Sequence, residues 1–378
     1  MMNNKKLLPT LLSLAVAASL STQAQAGIEL YNKDGTTFST DGLVNTFLVS
    51  SDIDDSNDAL DRTQSRVKMG FLPNWIGFNF AKDNGDIKLG ARSSFWVSIN
   101  DSDPNRASSA GHGVTDTGID VRQFYGTIES DWGQVLIGKD FSLFNRSNIL
   151  GDELLLGYGQ VNSDGLVDGG NVSFGNIGTG YLYPFPNAQI TYRSPESQGF
   201  QIAVGLLDPS KSGTLSEESA PRLETEVTYK TSLAGADIKA WLGGMSQSSN
   251  NGAADIDSSG VSYGVNVKAG QFSVSASGFD AEGVGTAGLS NFVTADSADV
   301  EGYLIQTAYS FGQERLVLSY GENSGGTTPG ANNLDAENTA IALFHTVNDN
   351  LKLVAEYDQS ETASRETDTI ALGAVLTW

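Results

Sequence analysis

The sequence predicts an all-β fold: a 16-stranded antiparallel barrel that spans a membrane. Three observations predict it. Segments of alternating apolar and polar residues recur along the chain. Tight turns alternate with long polar loops. After the N-terminus, no stretch approaches the ~18 continuous apolar residues that a spanning helix needs. A chain held in a membrane without such helices must close its sheet, because only closure satisfies every backbone amide in lipid.

The elements follow in order. Lys5 and Lys6 form a basic start, Leu7 to Leu20 an apolar stretch, and Ala24-Gln25-Ala26 a small-residue cleavage site. Residues 1–26 therefore read as a signal peptide cut between Ala26 and Gly27, which leaves 27–378 as one exported barrel domain. Losing Lys5 and Lys6 takes the net charge from −23 to −25. Such a chain is a poor direct partner for nucleic acid or an anionic surface. It suits loops that bind divalent cations, or a channel with a weak preference for cations. The cysteine count is 0 and there are 2 histidines, so neither disulfides, thiolate chemistry nor a histidine metal centre is expected. No cofactor is expected.

The first strands read as Phe38–Val49, Ser65–Lys82 with a bulge at Pro73, Ile87–Ile99, Ile119–Glu129 and Gln134–Asp140. In Ile87–Ile99, residues Ile87, Leu89, Ala91, Phe95, Val97 and Ile99 share one face; Lys88, Gly90, Arg92, Ser94 and Ser98 share the other. After a long insertion come Ala188–Ser194, Phe200–Leu207, Arg222–Thr231, Ala236–Gln247, Gly260–Ala269 and Gln271–Asp280. Val300–Phe311, Glu314–Glu322, Ala336–Thr346, Leu351–Gln359 and Thr367–Trp378 complete the set. Asp83–Asp86, Ser130–Gly133, Pro195–Gln198 and Leu233–Gly235 are tight turns. Asp52–Asp61, Asp101–Gly118, Asp208–Pro221 and Gly321–Asp335 are long polar loops. Short turns on one side and long loops on the other mark an up-and-down membrane barrel.

The last strand alternates Ile370, Leu372, Ala374, Leu376 and Trp378 with a second face and stops on the aromatic. Leu376 and Trp378 resemble the C-terminal signal read by the outer-membrane barrel assembly machinery, whose clients usually end in Phe. An aromatic also suits a membrane interface.

Over its mature length the chain resembles the general trimeric porins of Gram-negative outer membranes. The residues that carry the resemblance are Arg122-Gln123-Phe124-Tyr125-Gly126, Trp132 to Asp140 and, beyond the insertion, Ile190 to Phe200. The resemblance implies a homotrimer and a water-filled channel for passive diffusion of ions and small hydrophilic solutes. It also implies a long third loop, here 141–187, folded into the lumen as a constriction. That loop carries Asp152, Glu153, Asp164 and Asp168, and a structureless segment of this length is unusual unless functional. The family's Pro-Glu-Phe-Gly-Gly-Asp-like stretch is missing from it.

Cations for the facing wall follow from alternation. Arg66 and Lys68 share a face, and Lys88 and Arg92 share another. Arg122 and Arg193 match basic lumen positions in the family's fourth and sixth strands. A charge facing lipid at mid-depth costs roughly 2–4 kcal/mol, so these residues should face water or an interface. Fixed charges of both signs would then sort solutes by size, dipole and charge.

Other patterns carry less. Gly260-Val261-Ser262-Tyr263-Gly264 matches a hydrolase nucleophile elbow, but it lies in an alternating strand with no helix after it. His345 is the only downstream histidine. Gly283 to Gly288 mimics a dinucleotide loop without its strand–helix context. Asp52 to Asp58 resembles half a calcium loop without its Gly and final Glu; a solvated acidic loop is the simpler reading, with divalent bridging to lipopolysaccharide as the alternative. His112 reads as a surface residue. Tyr158, Tyr181, Tyr183 and Phe185 in the insertion keep a substrate-selective channel, for oligosaccharides or another nutrient, in play. An outer-membrane hydrolase is a more distant alternative.

Overall fold

A computed structural model describes residues 27–100, 119–168, 172–285, 299–325 and 335–378. The cleavage site at Ala26, His112, and the glycine pattern beyond Gly285 lie wholly or partly outside the described residues.

Most of the described residues are strand. β1 (Ile28–Lys33) forms a hairpin with the start of β2 (Thr36–Asp55). β3 (Arg62–Lys68) pairs with the far half of β2, and β4 (Asn74–Asp83) pairs with its near half. β3 and β4 thus occupy one place in the sheet. Up the first wall follow β5 (Lys88–Val97), β6 (Asp120–Ser130), β7 (Gly133–Phe141), β8 (Pro186–Arg193) and β9 (Phe200–Leu207). The far wall is β10 (Arg222–Leu233), β11 (Ala236–Asn250), β12 (Asp255–Ala269), β13 (Phe272–Glu282) and β14 (Asp299–Phe311). β15 (Glu314–Gly325), β16 (Ala336–Asn348), β17 (Leu351–Thr362) and β18 (Arg365–Thr377) complete it. Each pairs antiparallel with the next, and β18 returns to β2 with Thr377 opposite Leu43 and Arg365 opposite Asp55. The sheet closes as a 16-strand barrel.

The strand that contains Pro73 breaks there for a physical reason. Proline offers no amide to a ladder, and residues 69–73 leave the sheet. Their backbone groups are met by asparagines instead. Gly70 N donates to Asn45 Oδ1 (2.6 Å), Asn45 Nδ2 donates to the Leu72 carbonyl (2.8 Å), and Met69 N donates to Asn100 Oδ1 (2.8 Å). Gly70 has no room for a side chain: a Cβ there would meet the Gly157 carbonyl at 2.5 Å and the Phe47 ring at 2.6 Å.

The two faces divide as the alternation requires. Leu48, Val67, Ile137, Leu242, Ile305 and Ile370 are exposed on the outer surface. An apolar outer band is what hydrocarbon demands. Their neighbours along each strand point inward, and most are buried.

Several strands run further than their apolar pattern, β2 and β12 the furthest. β2 continues to Asp55 and β12 starts at Asp255. Their extensions place Asp52, Asp54, Asp255 and Asp257 outward, where acids replace the apolar face, so hydropathy gives no strand signal. β1 has no alternation of burial either; all six residues are exposed.

Candidate functional site

The segment between β7 and β8 is bound along its length to inward-facing groups of the far wall. At its start, Glu224 of β10 accepts from Leu143 N (2.6 Å) and Phe144 N (2.9 Å). Ser147 Oγ donates to Glu226 (2.7 Å), and Trp241 Nε1 donates to Asn148 Oδ1 (2.7 Å). Gln306 of β14 accepts from Glu153 N (2.7 Å). Glu356 of β17 takes two consecutive amides, Tyr158 N (2.9 Å) and Gly159 N (2.7 Å). Asn323 of β15 accepts from Gly180 N (2.7 Å). Between these anchors Leu154, Leu155, Tyr158, Val161, Leu166 and Ile177 pack against Phe47, Val49 and Ile53 of β2 and Leu304 and Val317 of the far wall. Polar pairs fix the register and apolar burial supplies the attraction.

The acids of this segment meet arginines. Arg62 Nη2 reaches Asp164 (2.6 Å) and Asp168 (2.7 Å), and Arg66 reaches Asp168 (3.4 Å). Arg365 bridges Asp164 (3.0 Å) and Asp55 (2.9 Å). The Arg62 guanidinium holds the Asp164 carboxyl below its usual range. Lys68 is buried and donates to the Leu166 carbonyl. Glu153 pairs with Arg315 (2.5 Å) and accepts from Ser273 (2.7 Å).

Asp152 differs: it is buried and, among the described residues, faces no cation. Tyr181 OH (2.7 Å), Gln306 Nε2 (2.7 Å), Asn176 Nδ2 (3.0 Å) and Leu154 N (2.8 Å) donate to it. Burial nevertheless pushes its carboxyl above the usual range.

The first wall holds a second set. Arg92 makes a bidentate pair with Asp41 (2.6 and 3.0 Å) and bonds Asn79 and Gln123. Arg193 lies 3.7 Å from Glu226. Arg122 falls where the β5–β6 register shifts. It pairs with Asp120 (2.7 Å), donates to Tyr183 OH (3.0 Å) and lies over the Trp96 ring at 4.9 Å. Lys88 stands apart from every other candidate. It opens β5 beside the turn, exposed and opposite Glu129, four residues (~13 Å) along the strand from Arg92.

The arrangement also contains charges that alternation alone does not single out. Arg62, Arg315 and Arg365 meet the segment's acids, Glu224 and Glu356 hold its backbone, and Glu226 holds the Ser147 hydroxyl. Their signal in the sequence is weak but present. Arg62 has the parity of Arg66 and Lys68, and Arg365 that of Thr367 and Thr369, but each lies at or beyond the edge of its apolar pattern. Glu224 and Glu226 alternate with Leu223, Thr225 and Val227 in the same way.

The chemistry-like motifs resolve into barrel wall. Ser262 is buried in β12 and accepts from Asn145 N (3.4 Å). His345 sits on β16, bonded to Glu314 (2.7 Å) and four strands, about 19 Å, around the wall from Ser262. Asp52 to Asp58 forms a strand end and a turn: Asp55 accepts from Asn57 N (3.0 Å) and pairs with Arg365. Among the described residues, no three acids or histidines are grouped to hold a metal ion.

A model of the Gram-negative porin family matches residues 10–364. No curated protein matches. Solved structures share the fold. An anion-selective porin from Comamonas acidovorans is 13% identical, with 91% of this chain and 100% of that chain covered and a TM-score of 0.66. The outer membrane channel DcaP of Acinetobacter baumannii is 17% identical, with 93% and 100% covered and a TM-score of 0.64. A trimer form of OmpT from Vibrio cholerae is 14% identical, with 91% and 100% covered and a TM-score of 0.54.

Proposed function

The chain belongs to the Gram-negative porin family and forms an outer-membrane channel, and on that premise we propose how it sorts what passes. The segment 141–187 is the constriction. Its acids Glu153, Asp164 and Asp168, with Arg66, Lys68, Arg92, Arg122 and Arg193 of the walls, form a field of both signs. Small hydrophilic solutes and ions diffuse past it passively. Asp152 serves differently. Buried without a counterion, it fastens the segment to Gln306 rather than facing solutes. Lys88, at the turn, lies outside this set. The observation that supports the reading best is the set of ion pairs from Arg62, Arg66 and Arg365 to Asp164 and Asp168.

The working assembly is a homotrimer, supported by the trimer form of the similar OmpT. Residues 1–26 direct export, Leu376 and Trp378 present the chain to the assembly machinery, and the acidic outer rim meets lipopolysaccharide through divalent cations. The chain has no catalytic role in this reading, in keeping with the separation of Ser262 from His345. Single-channel recording of the purified protein in planar bilayers tests it. Conductance steps in groups of three, unaffected by added oligosaccharide, are expected. Silent bilayers would overturn the open-channel reading, and saturable block by a sugar would replace it with a selective one.

A further inference from the structure

One cavity is not explained by the charged network. Where the inserted segment leaves β7 and returns to β8, the described residues line a cavity of about 360 Å3. Its walls are aromatic. Trp96 and Phe141 meet edge to face at 6.2 Å, Phe141 and Tyr183 at 6.2 Å, and Tyr183 and Phe185 at 5.0 Å. Phe174 of the inserted segment also lines it.

Charged side chains lie among the rings of this cavity. Arg122, Lys139 and Arg146 line it, against the single carboxylate of Asp120. Arg122 is held over the Trp96 ring by Asp120 and Tyr183 OH. Arg146 reaches Asp140 only at 3.4 Å, and Lys139 makes no ion pair among the described residues. The lining therefore carries an excess of positive charge beside apolar ring faces. A guanidinium stacked on an aromatic and fixed by its own hydrogen bonds is preorganised for a planar carboxylate.

From this combination we propose that the cavity binds a small aromatic carboxylate. The ring lies among Trp96, Phe141 and Phe174, and the carboxylate meets Arg122 and Lys139. The volume is near the lower end of the roughly 300–1,000 Å3 usual for small-molecule sites, which suits one ring. An oligosaccharide would need many hydrogen-bonding groups, and Tyr183 OH is already engaged by Arg122. A neutral aromatic would leave Lys139 without an anion, and a cationic one would be repelled by the positive excess.

The proposal builds on the channel reading, and its test separates the two. The purified full-length protein is titrated calorimetrically with phenylacetate, acetate, 2-phenylethanol and phenethylamine at fixed ionic strength. Potassium chloride conductance is recorded on the same preparation. Saturable phenylacetate binding at least tenfold tighter than that of acetate or phenylethanol is expected, with no phenethylamine binding. Phe174→Ala and Lys139→Gln should each weaken it fivefold or more. Phenylacetate binding no tighter than acetate, or binding untouched by both substitutions, overturns the proposal. Normal conductance beside that result leaves the channel standing, whereas loss of conductance in the unaltered protein counts against the channel itself. If either variant fails to fold, the ligand series on the unaltered protein still decides.

Discussion

Glu224 and Glu356 hold the inserted segment at two separate points, and replacing Glu356 by glutamine and Glu224 by alanine separates them. Each carboxylate accepts two consecutive backbone amides, Leu143 and Phe144 in one case, Tyr158 and Gly159 in the other. At Glu356 each oxygen takes one amide, so glutamine keeps one acceptor and turns an NH2 group toward the other. At Glu224 both amides share Oε2 while Oε1 accepts from Arg222 Nε, so alanine is needed to take the acceptor away. One buried N–H in Glu356→Gln, and both in Glu224→Ala, then lose their acceptor, at a cost of about 1–3 kcal/mol each. That corresponds to roughly 5–150-fold more frequent local opening. Amide hydrogen exchange, resolved by mass spectrometry, reads it directly. Glu356→Gln should speed exchange around Tyr158 and Gly159 by that factor and leave Leu143 and Phe144 slow; Glu224→Ala should do the reverse. Equal acceleration at both places would mean that the segment opens as one body, and unchanged exchange would mean that these carboxylates do not hold it. Either result refutes the account of two separate anchors.

Further outcomes follow from the same geometry. A Cβ at Gly157 would overlap Glu356 Oε2, so Gly157→Ala should reproduce the exchange pattern of Glu356→Gln without removing a charge. A Cβ at Gly42 would overlap the Trp378 ring beside the closing seam, where Gly42 N donates to the Trp378 carbonyl at 3.1 Å; Gly42→Ala should lower stability by about 1–3 kcal/mol, seen as a lower temperature of barrel unfolding on gels. Asp152 is held above its ordinary range by burial, so the folded state keeps its proton more tightly than the unfolded chain does. Its contribution is therefore most favourable in acid and is lost as pH rises through the raised value; Asp152→Asn should abolish that dependence in pH-resolved exchange. Asp164, lowered by Arg62, has the opposite sign: its support is present above about pH 4 and disappears as pH falls through the lowered value. Exchange at residues 164–168 that did not quicken in acid would contradict it.

Most of the barrel is legible because lipid enforces alternation. Ile87–Ile99 shows it plainly, and the pattern gives the strand, its faces and the inward direction of Arg92. Legibility ends where lipid does. Arg62, Asp54 and Asp255 belong to strands that rise beyond the apolar band, and there the outward residue is acidic. The site is harder to read. Asp164 and Asp168 can be nominated from composition, but that Arg62 and Arg365 meet them depends on how the long excursion between β7 and β8 crosses the barrel, which no local period encodes. The anchors Glu224 and Glu356 look like any lumenal acid until their backbone donors are known. Arg122 is a different case, because a shifted register, invisible in the alternation, brings it over Trp96.

The distribution of charge across the wall decides what the acidic composition means. A net charge of −23 suggests a cation-preferring channel. On the ends of the far strands, however, Asp52, Asp54, Asp257, Asp280, Glu301, Glu322 and Glu366 occupy the outward parity, while Arg62, Arg222 and Arg365 occupy the inward one. Inside, Glu153, Asp164 and Asp168 of the segment and Glu224 and Glu226 of β10 face arginines in near balance, while Asp152, Glu356 and Asp358 are buried away from the described cations. Outer acids are separated from a permeating ion by the wall and by salt that screens over ~8 Å at physiological strength. The excess negative charge therefore has little hold on permeation, and selectivity belongs to the few inner groups. Neutralising Asp257, Glu301 and Glu322 together should leave the reversal potential in a salt gradient unchanged, whereas Asp168→Asn alone should shift it toward anions. A shift produced by the outer triple substitution, with none from Asp168→Asn, would show that the net charge and not the eyelet governs the current.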